Sequence, residues 1–333
     1  MSTVRPAQRG LLFLGCLLAF VRWEPAPYDL FLIIIFLLYA RGLTWKSYQL
    51  VFVVLLGPLL FTHVPALGAA LEVAPERTLY YSLVTLYLAL SSVFFMSLPE
   101  RSVPLLLLGY EVGALLSGLL GVLAFLRIPG LEDLLWGGSR AVAFFKDPNV
   151  FGAFLIPALF LALARLEQGR KFWILPALIL FLGVLVSLSR GAWANFAVAL
   201  LAWWLLRPRK RIWLPLVLLT LAGGVGISVV VMPDNPIVQR LGFMPYDKER
   251  FFTQMEALSL ALTQPLGYGP GLSEIHLSYA THNTYVRFLA EVGWLGLFFW
   301  LLILGTSLIW SLYQGLKQQS FRHEVYFVSL LGI

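Results

Sequence analysis

Charge is what this chain has least of. Only 12% of its 333 residues are Asp, Glu, Lys or Arg, about half the share of an ordinary soluble domain. Disorder is excluded on the same figures, because it needs high charge and few apolar residues, whereas 59% of this chain is apolar. Cysteine is nearly absent. A lone Cys16 excludes an intrachain disulfide framework and a cysteine-based zinc site, and reads as a small apolar residue inside a hydrophobic segment. There is no internal repeat, no low-complexity tract and no Asp-x-Asp signature for a divalent metal. Glu132-Asp133 is an adjacent acidic pair that reads as solvated loop, so neither metal nor cofactor is expected. The formal net charge of +7 invites a nucleic-acid reading. The bases punctuate apolar runs instead of interleaving with aromatics on one face, and no nucleic-acid partner is expected.

What the chain does have is apolar runs long enough to cross a bilayer, which takes about 20 residues of helix. With charges as boundaries, candidate spans fall near 48–71, 78–98, 102–126, 149–164, 172–188, 191–206, 212–232 and 284–312. Two shorter runs, 10–21 and 28–40, flank Trp23-Glu24-Pro25-Ala26-Pro27 and read as short or tilted spans about a proline turn. A cleaved signal peptide is the rival for the first, since Arg5 and Arg9 precede it, but no small-x-small site follows. An eleventh run begins at Val325 and stops at Ile333, as in a truncated chain or an irregular end. The expected fold is an all-α polytopic membrane protein with about 10–11 transmembrane helices, forming one transmembrane domain over 1–333.

Lys and Arg mark the cytoplasmic side. They favour a cytoplasmic N-terminus, with Arg207, Arg209, Lys210 and Arg211 as the strongest anchor. Membrane lipids are then immediate partners. This topology leaves two hydrophilic stretches outside the cytoplasm, 127–148 and the longer 233–283. Within the longer one, Phe251, Met255, Leu258 and Leu262 recur at helical spacing and predict an amphipathic helix over 248–263. Two placements stand open for it: on the membrane surface, or over the bundle as a lid. Gly267, Gly269 and Gly271, with Pro265 and Pro270, break the chain after it.

Candidate chemistry gathers on this side. Ser189-Arg190-Gly191 separates two apolar runs, which sets the Arg190 guanidinium at the boundary, within reach of phosphates; snorkelling or an ion pair competes with that reading. Arg250, at the start of the loop helix, adds a cation where helix N-termini already attract anions, or else pairs with Asp247. His282-Asn283 opens the last complete span. Gly293 follows His282 by eleven residues, about three turns, which places both on one stripe near Ala290 and Gly296. Small residues there press the helix into its neighbours and turn His282 inward, where an imidazole can take a proton from a hydroxyl. A capping or packing histidine is the blander alternative. Arg287 and Glu291, four apart, pair along the helix. Glu111 sits mid-span, where an acid is functional or paired, and no partner can be named for it. Asp147 and Asn149 read as caps of the following helix, with a place in the cavity as the lesser reading. The 11 Trp and 13 Tyr form an interfacial belt before they form any sugar platform.

Four segments in this order carry a resemblance: Asp147-Pro148-Asn149-x-x-Gly152, Ser189-Arg190-Gly191-Ala192-Trp193, Pro265-Leu266-Gly267-x-Gly269, and His282-Asn283 followed by Gly293 and Gly296. Together, over about 147–312, they resemble the O-antigen ligase family. Its wider superfamily includes polysaccharide polymerases and protein O-oligosaccharyltransferases. The resemblance implies a GT-C-like fold in a bacterial inner membrane and glycosyl transfer on the outer leaflet. The implied donor is a glycan on undecaprenyl diphosphate, and the implied acceptor is a hydroxyl of a glycan or of lipid A–core. Arg190 and Arg250 match the arginines that hold the diphosphate, and His282 matches the catalytic base. Asn283, Arg287 and Glu111 are the further candidates for substrate binding. Asp147, Asn149, Gly267, Gly269, Gly293 and Gly296 form the structural motif. The implied reaction is metal-independent and inverting, run as ligase or as polymerase. A small-anion transporter is the competing class, although transporters tend to show internal repeats and paired broken helices near the midplane.

Overall fold

The computed structural model describes residues 6–39, 43, 47–206, 240, 242, 245–278, 283–318 and 321–330. Helix dominates them: α1 (Pro6–Leu17), α2 (Pro27–Tyr39), α3 (Ser47–Phe61), α4 (Leu67–Val73), α5 (Pro75–Met96), α6 (Val103–Phe125), α7 (Pro148–Glu167), α8 (Ile174–Val186), α9 (Arg190–Leu206), α10 (Pro245–Thr263), α11 (Ser273–His276), α12 (Thr284–Gln318) and α13 (Phe321–Leu330). Among the described residues, α5, α6, α7 and α12 are long and apolar enough to cross a membrane, and three shorter helices are similarly apolar. The chain is an all-α polytopic membrane protein.

Several expected spans change on inspection. The run 48–71 is two helices, because α3 stops at Phe61 and α4 starts at Leu67. Pro65 explains the stop, since it offers no N–H and disfavours helix for Val64 before it. The run 172–188 opens with a 3₁₀ turn, Lys171–Trp173, ahead of α8. The run from Val325 belongs to a helix that starts four residues earlier, at Phe321. The expected span 212–232, the basic anchor 207–211 and His282 lie outside the described residues.

The chain divides into two compact units, Met1–Arg41 with Glu100–Gly242 and Leu308–Ile333, and Gly42–Pro99 with Phe243–Ser307. In the first, α1 and α6 touch backbone to backbone. A Cβ on Gly109 would lie 1.9 Å from the Leu12 carbonyl oxygen, and one on Gly15 2.2 Å from that of Leu106. Small residues allow this close approach, which takes the place of a hydrophobic driving force between helices in lipid. The innermost helix is α7, whose Phe151, Leu155, Ile156 and Phe160 are fully buried. The stretch 127–148 is not plain loop. It holds a short antiparallel hairpin, β1 (Leu135–Trp136) with β2 (Arg140–Ala141), in register Leu135 to Ala141. Gly137 and Gly138 turn it at φ of 55° and 68°, the left-handed region that glycine enters freely.

The second unit packs α3, α4, α5, α10, α11 and the part of α12 up to Ser307. The Gln49 side-chain amide donates to the Met96 carbonyl and ties α3 to α5. The Thr78 hydroxyl donates to the Ala70 carbonyl at 3.1 Å, joining α5 to α4.

Candidate functional site

In the first unit, the start of α7 forms as its sequence predicts. Asp147 is the cap, and its Oδ1 accepts the Asn149 N–H at 2.6 Å, satisfying a donor that the helix leaves open. Asn149 Oδ1 in turn accepts from Arg140 Nη2 at 3.1 Å, while Arg140 Nε donates to the Ser187 carbonyl at 3.2 Å. Arg140 thus clamps the start of α7 to the end of α8. Sequence reasoning missed it, because its partners Asn149 and Ser187 lie in two other segments. Beyond Ser187, Leu188 takes a φ of 48°, and the Ser189 hydroxyl accepts the Ala192 N–H at 3.2 Å to cap α9. Gly152 is required here, since a Cβ would lie 2.6 Å from Ser187 Oγ and 2.7 Å from Ala192 Cβ. Arg190 is the first residue of α9, and its Nη1 donates to the Gly242 carbonyl at 3.2 Å. Arg190 thus belongs to a helix start, the end of a helix that favours anions.

Glu111 has a partner that no sequence spacing reveals. Its Oε2 lies 2.6 Å from Arg165 Nη1, a pair with side-chain exposures of 5% and 18%. The Arg165 guanidinium also lies 4.1 Å from the centre of the Trp173 ring. A buried carboxylate held this way needs its cation to remain charged.

In the second unit, the last long helix is broken. Asn283 caps α12, its Oδ1 accepting from the N–H groups of Tyr285 at 2.9 Å and Val286 at 3.2 Å. Gly293 then leaves helical geometry at φ 68°, ψ −167°. The glycine-rich loop after α10 docks into the gap. The N–H groups of Tyr268 and Gly269 donate to the carbonyls of Ala290 and Glu291, each at 2.9 Å, and the Trp294 N–H donates to the Pro265 carbonyl at 3.1 Å. Gly267 packs within this contact, where a Cβ would lie 2.4 Å from the Glu291 carbonyl oxygen. The expected stripe starts at His282, which lies outside the described residues; what the structure describes is its lower part, from Asn283 to Gly293. The helix runs from Thr284, and Gly293 interrupts its helical geometry. Gly296 keeps the expected packing role, its Cα facing the Val292 side chain and Thr62 Oγ1.

A polar cluster surrounds the break. Glu291 Oε1 accepts from Arg287 Nε at 3.0 Å and from Ser273 Oγ at 2.6 Å, so the expected Arg287–Glu291 pair is present. The Arg287 guanidinium lies 4.4 Å from the centre of the Tyr81 ring and that of Arg77 5.3 Å from it. Arg77 Nε donates to the Gly271 carbonyl at 2.6 Å, and its terminal nitrogen pairs with Glu274. Arg77, Tyr81 and Ser273 escaped the sequence reading; only the flanking Gly269-Pro270-Gly271 hinted at a crowded loop. In the turn after α3, burial lowers the His63 pKa below the ordinary imidazole value, while a backbone hydrogen bond to Leu59 and the Glu291 charge act the other way. Arg250 lies in the second turn of α10, because the helix starts at Pro245 rather than at Lys248. Its side chain is half-buried, and the helix-start donors belong to earlier residues.

Arg190, Asp147, Asn149 and Glu111 thus fall in the first unit, and Arg250, Asn283, Arg287, Gly267, Gly269, Gly293 and Gly296 in the second. Among the described residues, no three His, Cys, Asp or Glu side chains gather as metal ligands.

Residues 175–301 match the family model described as O-Antigen ligase. The matched stretch holds Arg190, Arg250, Gly267, Gly269, His282, Asn283, Arg287, Gly293 and Gly296, and it begins after Glu111, Asp147 and Asn149. No curated protein matches the chain.

Proposed function

From the chain's place in the O-antigen ligase family, we propose that it transfers a glycan from undecaprenyl diphosphate to an acceptor hydroxyl. The observation that carries this reading is the family match, which holds Arg190, Arg250 and His282-Asn283 in the order of the motifs. We take the N-terminus as cytoplasmic and the membrane as the bacterial inner membrane, so that these residues face the outer leaflet. His282 accepts the proton of the acceptor hydroxyl as its oxygen attacks the anomeric carbon. The bond from that carbon to the diphosphate oxygen breaks, its electron pair leaves with undecaprenyl diphosphate, and the configuration inverts. Arg190 and Arg250 donate to the departing diphosphate, a role suited to planar forked cations. The position of Arg190 at the start of α9 supports this assignment, because helix termini and guanidinium groups favour the same anion. Asn283, Arg287 and Glu111 are the further candidates for substrate binding. Each also has a partner within the protein: Asn283 caps α12, Glu111 pairs with Arg165, and Arg287 pairs with Glu291 beside the Tyr81 ring.

The test is transfer from a lipid-linked donor by detergent-purified protein in excess chelator. Wild type should transfer, and His282→Ala should lose about 10²–10⁴-fold in rate with donor binding retained. Near wild-type turnover by folded His282→Ala would remove the histidine from the mechanism. Offering lipid A–core and a lipid-linked glycan as rival acceptors separates ligase from polymerase.

A further inference from the structure

The helix α10 packs the wrong way round for a protein in water. Its buried face is made of small residues: Thr253 and Ala257 are 0% exposed and Ala261 1%. Its large apolar residues point away from the protein, with Phe251 61%, Met255 66% and Leu262 70% exposed and Leu258 beside them. At about 3.6 residues per turn, those four form one continuous stripe. Glu249, Glu256 and Thr263 occupy another side of the helix. The helix thus has three faces, one against the protein, one apolar and one polar.

Three hydrogen bonds fix how it is rolled and where it sits. On its polar side, Glu256 Oε2 accepts from the Ser278 N–H at 2.9 Å and the Ser278 hydroxyl at 2.8 Å. At its far end, Trp294 Nε1 donates to the Ala261 carbonyl at 3.1 Å. Trp294 also stands near the start of the run 292–316, which carries no charge and is long enough to cross the hydrocarbon. Tryptophan concentrates at the edge of such a crossing. The exposed apolar surface runs on from α10 through Leu266 to Leu295 and Phe298 of the span, 54%, 48% and 56% exposed.

We infer that α10 is an interfacial helix whose Phe251–Met255–Leu258–Leu262 stripe is immersed in lipid, continuous with the lipid-facing side of α12. Lipid is the occupant because the stripe joins a surface that lipid already covers, at the level set by Trp294. A helix of this kind lies in the plane of the interface with its apolar face sunk about 5–10 Å into the headgroup and acyl boundary. The small residues of its inner face then serve close packing, as they do between helices in a membrane.

The experiment uses the full chain in liposomes with no glycan donor, so its outcome is independent of the transfer reaction. In a Cys16→Ser background, a fluorophore is attached at Met255→Cys, Leu262→Cys, Glu249→Cys or Thr263→Cys, with Leu301→Cys in the span as reference. These side chains are exposed, so labelling leaves packing in place. Brominated acyl chains should quench positions 255 and 262 nearly as strongly as 301, and aqueous iodide should quench 249 and 263. Iodide quenching at 255 and 262, without quenching by lipid, would put the stripe in water and overturn the inference. Protection of both positions from both quenchers, with cross-linking between copies, would assign the stripe to a second copy of the chain and overturn it equally.

Discussion

Replacing Gly293 with alanine tests the broken helix directly. At φ 68° and ψ −167° the residue occupies a region that only glycine enters readily, and forcing another residue there costs of order 1–3 kcal/mol. Space is no kinder. A Cβ would stand 2.0 Å from the Pro265 carbonyl oxygen and 2.7 Å from the Leu266 carbonyl carbon, both backbone atoms that cannot rotate away. The chain then has two escapes. The loop lifts off, or the helix straightens through residue 293, and either one gives up the bonds from Tyr268, Gly269 and Trp294. Strain and three backbone hydrogen bonds together suggest a loss of about 4 kcal/mol for Gly293→Ala. Gly296→Ala is the internal comparison. Its Cβ meets the side chains of Val292 and Thr62, so the cost should fall in the overpacking range of about 1–3 kcal/mol. Thermal unfolding in detergent ranks the two variants, and amide exchange reads the protection of Tyr268, Gly269 and Trp294. A Gly293→Ala protein that melts like wild type, or above Gly296→Ala, would refute the assignment of the break to this glycine. So would unchanged protection of the Trp294 amide.

Arg190→Lys and Arg250→Lys should both lose glycan transfer despite keeping their charge, because a diphosphate uses the guanidinium fork; normal transfer by both would reduce them to boundary anchors. Glu111→Gln should destabilise the protein by about 3–5 kcal/mol by leaving the Arg165 charge buried alone, and the double variant Glu111→Leu/Arg165→Met should recover much of that loss in a melting assay. His63 folds with a lowered pKa, so its neutral form is the folded one. Stability should therefore be full above the unfolded value of about 6.5 and fall as pH drops below it, a slope that His63→Gln should flatten.

Most of the helices were legible because the membrane writes them plainly. Charge-bounded runs at 78–98, 102–126 and 149–164 became α5, α6 and α7 with ends moved by a few residues. The Asp147 cap and the Arg287–Glu291 pair were legible too, since both follow from local spacing. What escaped depends on backbone conformation or distant partners. Hydropathy takes no account of φ, so Gly293 and Gly296 look alike in sequence although one breaks the helix and the other only packs. The hairpin at 135–141 left a signal in Gly137-Gly138, but strands of two residues are too short for any alternation to show. Arg140, Arg165 and Arg77 carry no local mark, because each is defined by a partner more than forty residues away.

The loop helix shows where a correct pattern needs its solvent named before it can be interpreted. Its apolar stripe at 251, 255, 258 and 262 lies on a helix, as the spacing predicts. In water such a stripe would face the protein and the small residues would face out. Here Ala257 and Ala261 face in and Met255 and Leu262 face out. The inversion follows once lipid is the medium, because apolar side chains gain nothing by leaving hydrocarbon for a protein interior, whereas small residues let backbones close together. Neither of the two placements first weighed, surface helix or lid, follows from amphipathicity alone. The tie from Trp294 to Ala261 holds α10 beside the start of a span, which is where the inferred interfacial placement needs it. Arg250 lies among the residues of that inner side, next in sequence to Phe251 of the stripe. A lipid diphosphate drawn to it would approach from the bilayer along the flank of α10, with no need to descend through a cavity open only to water.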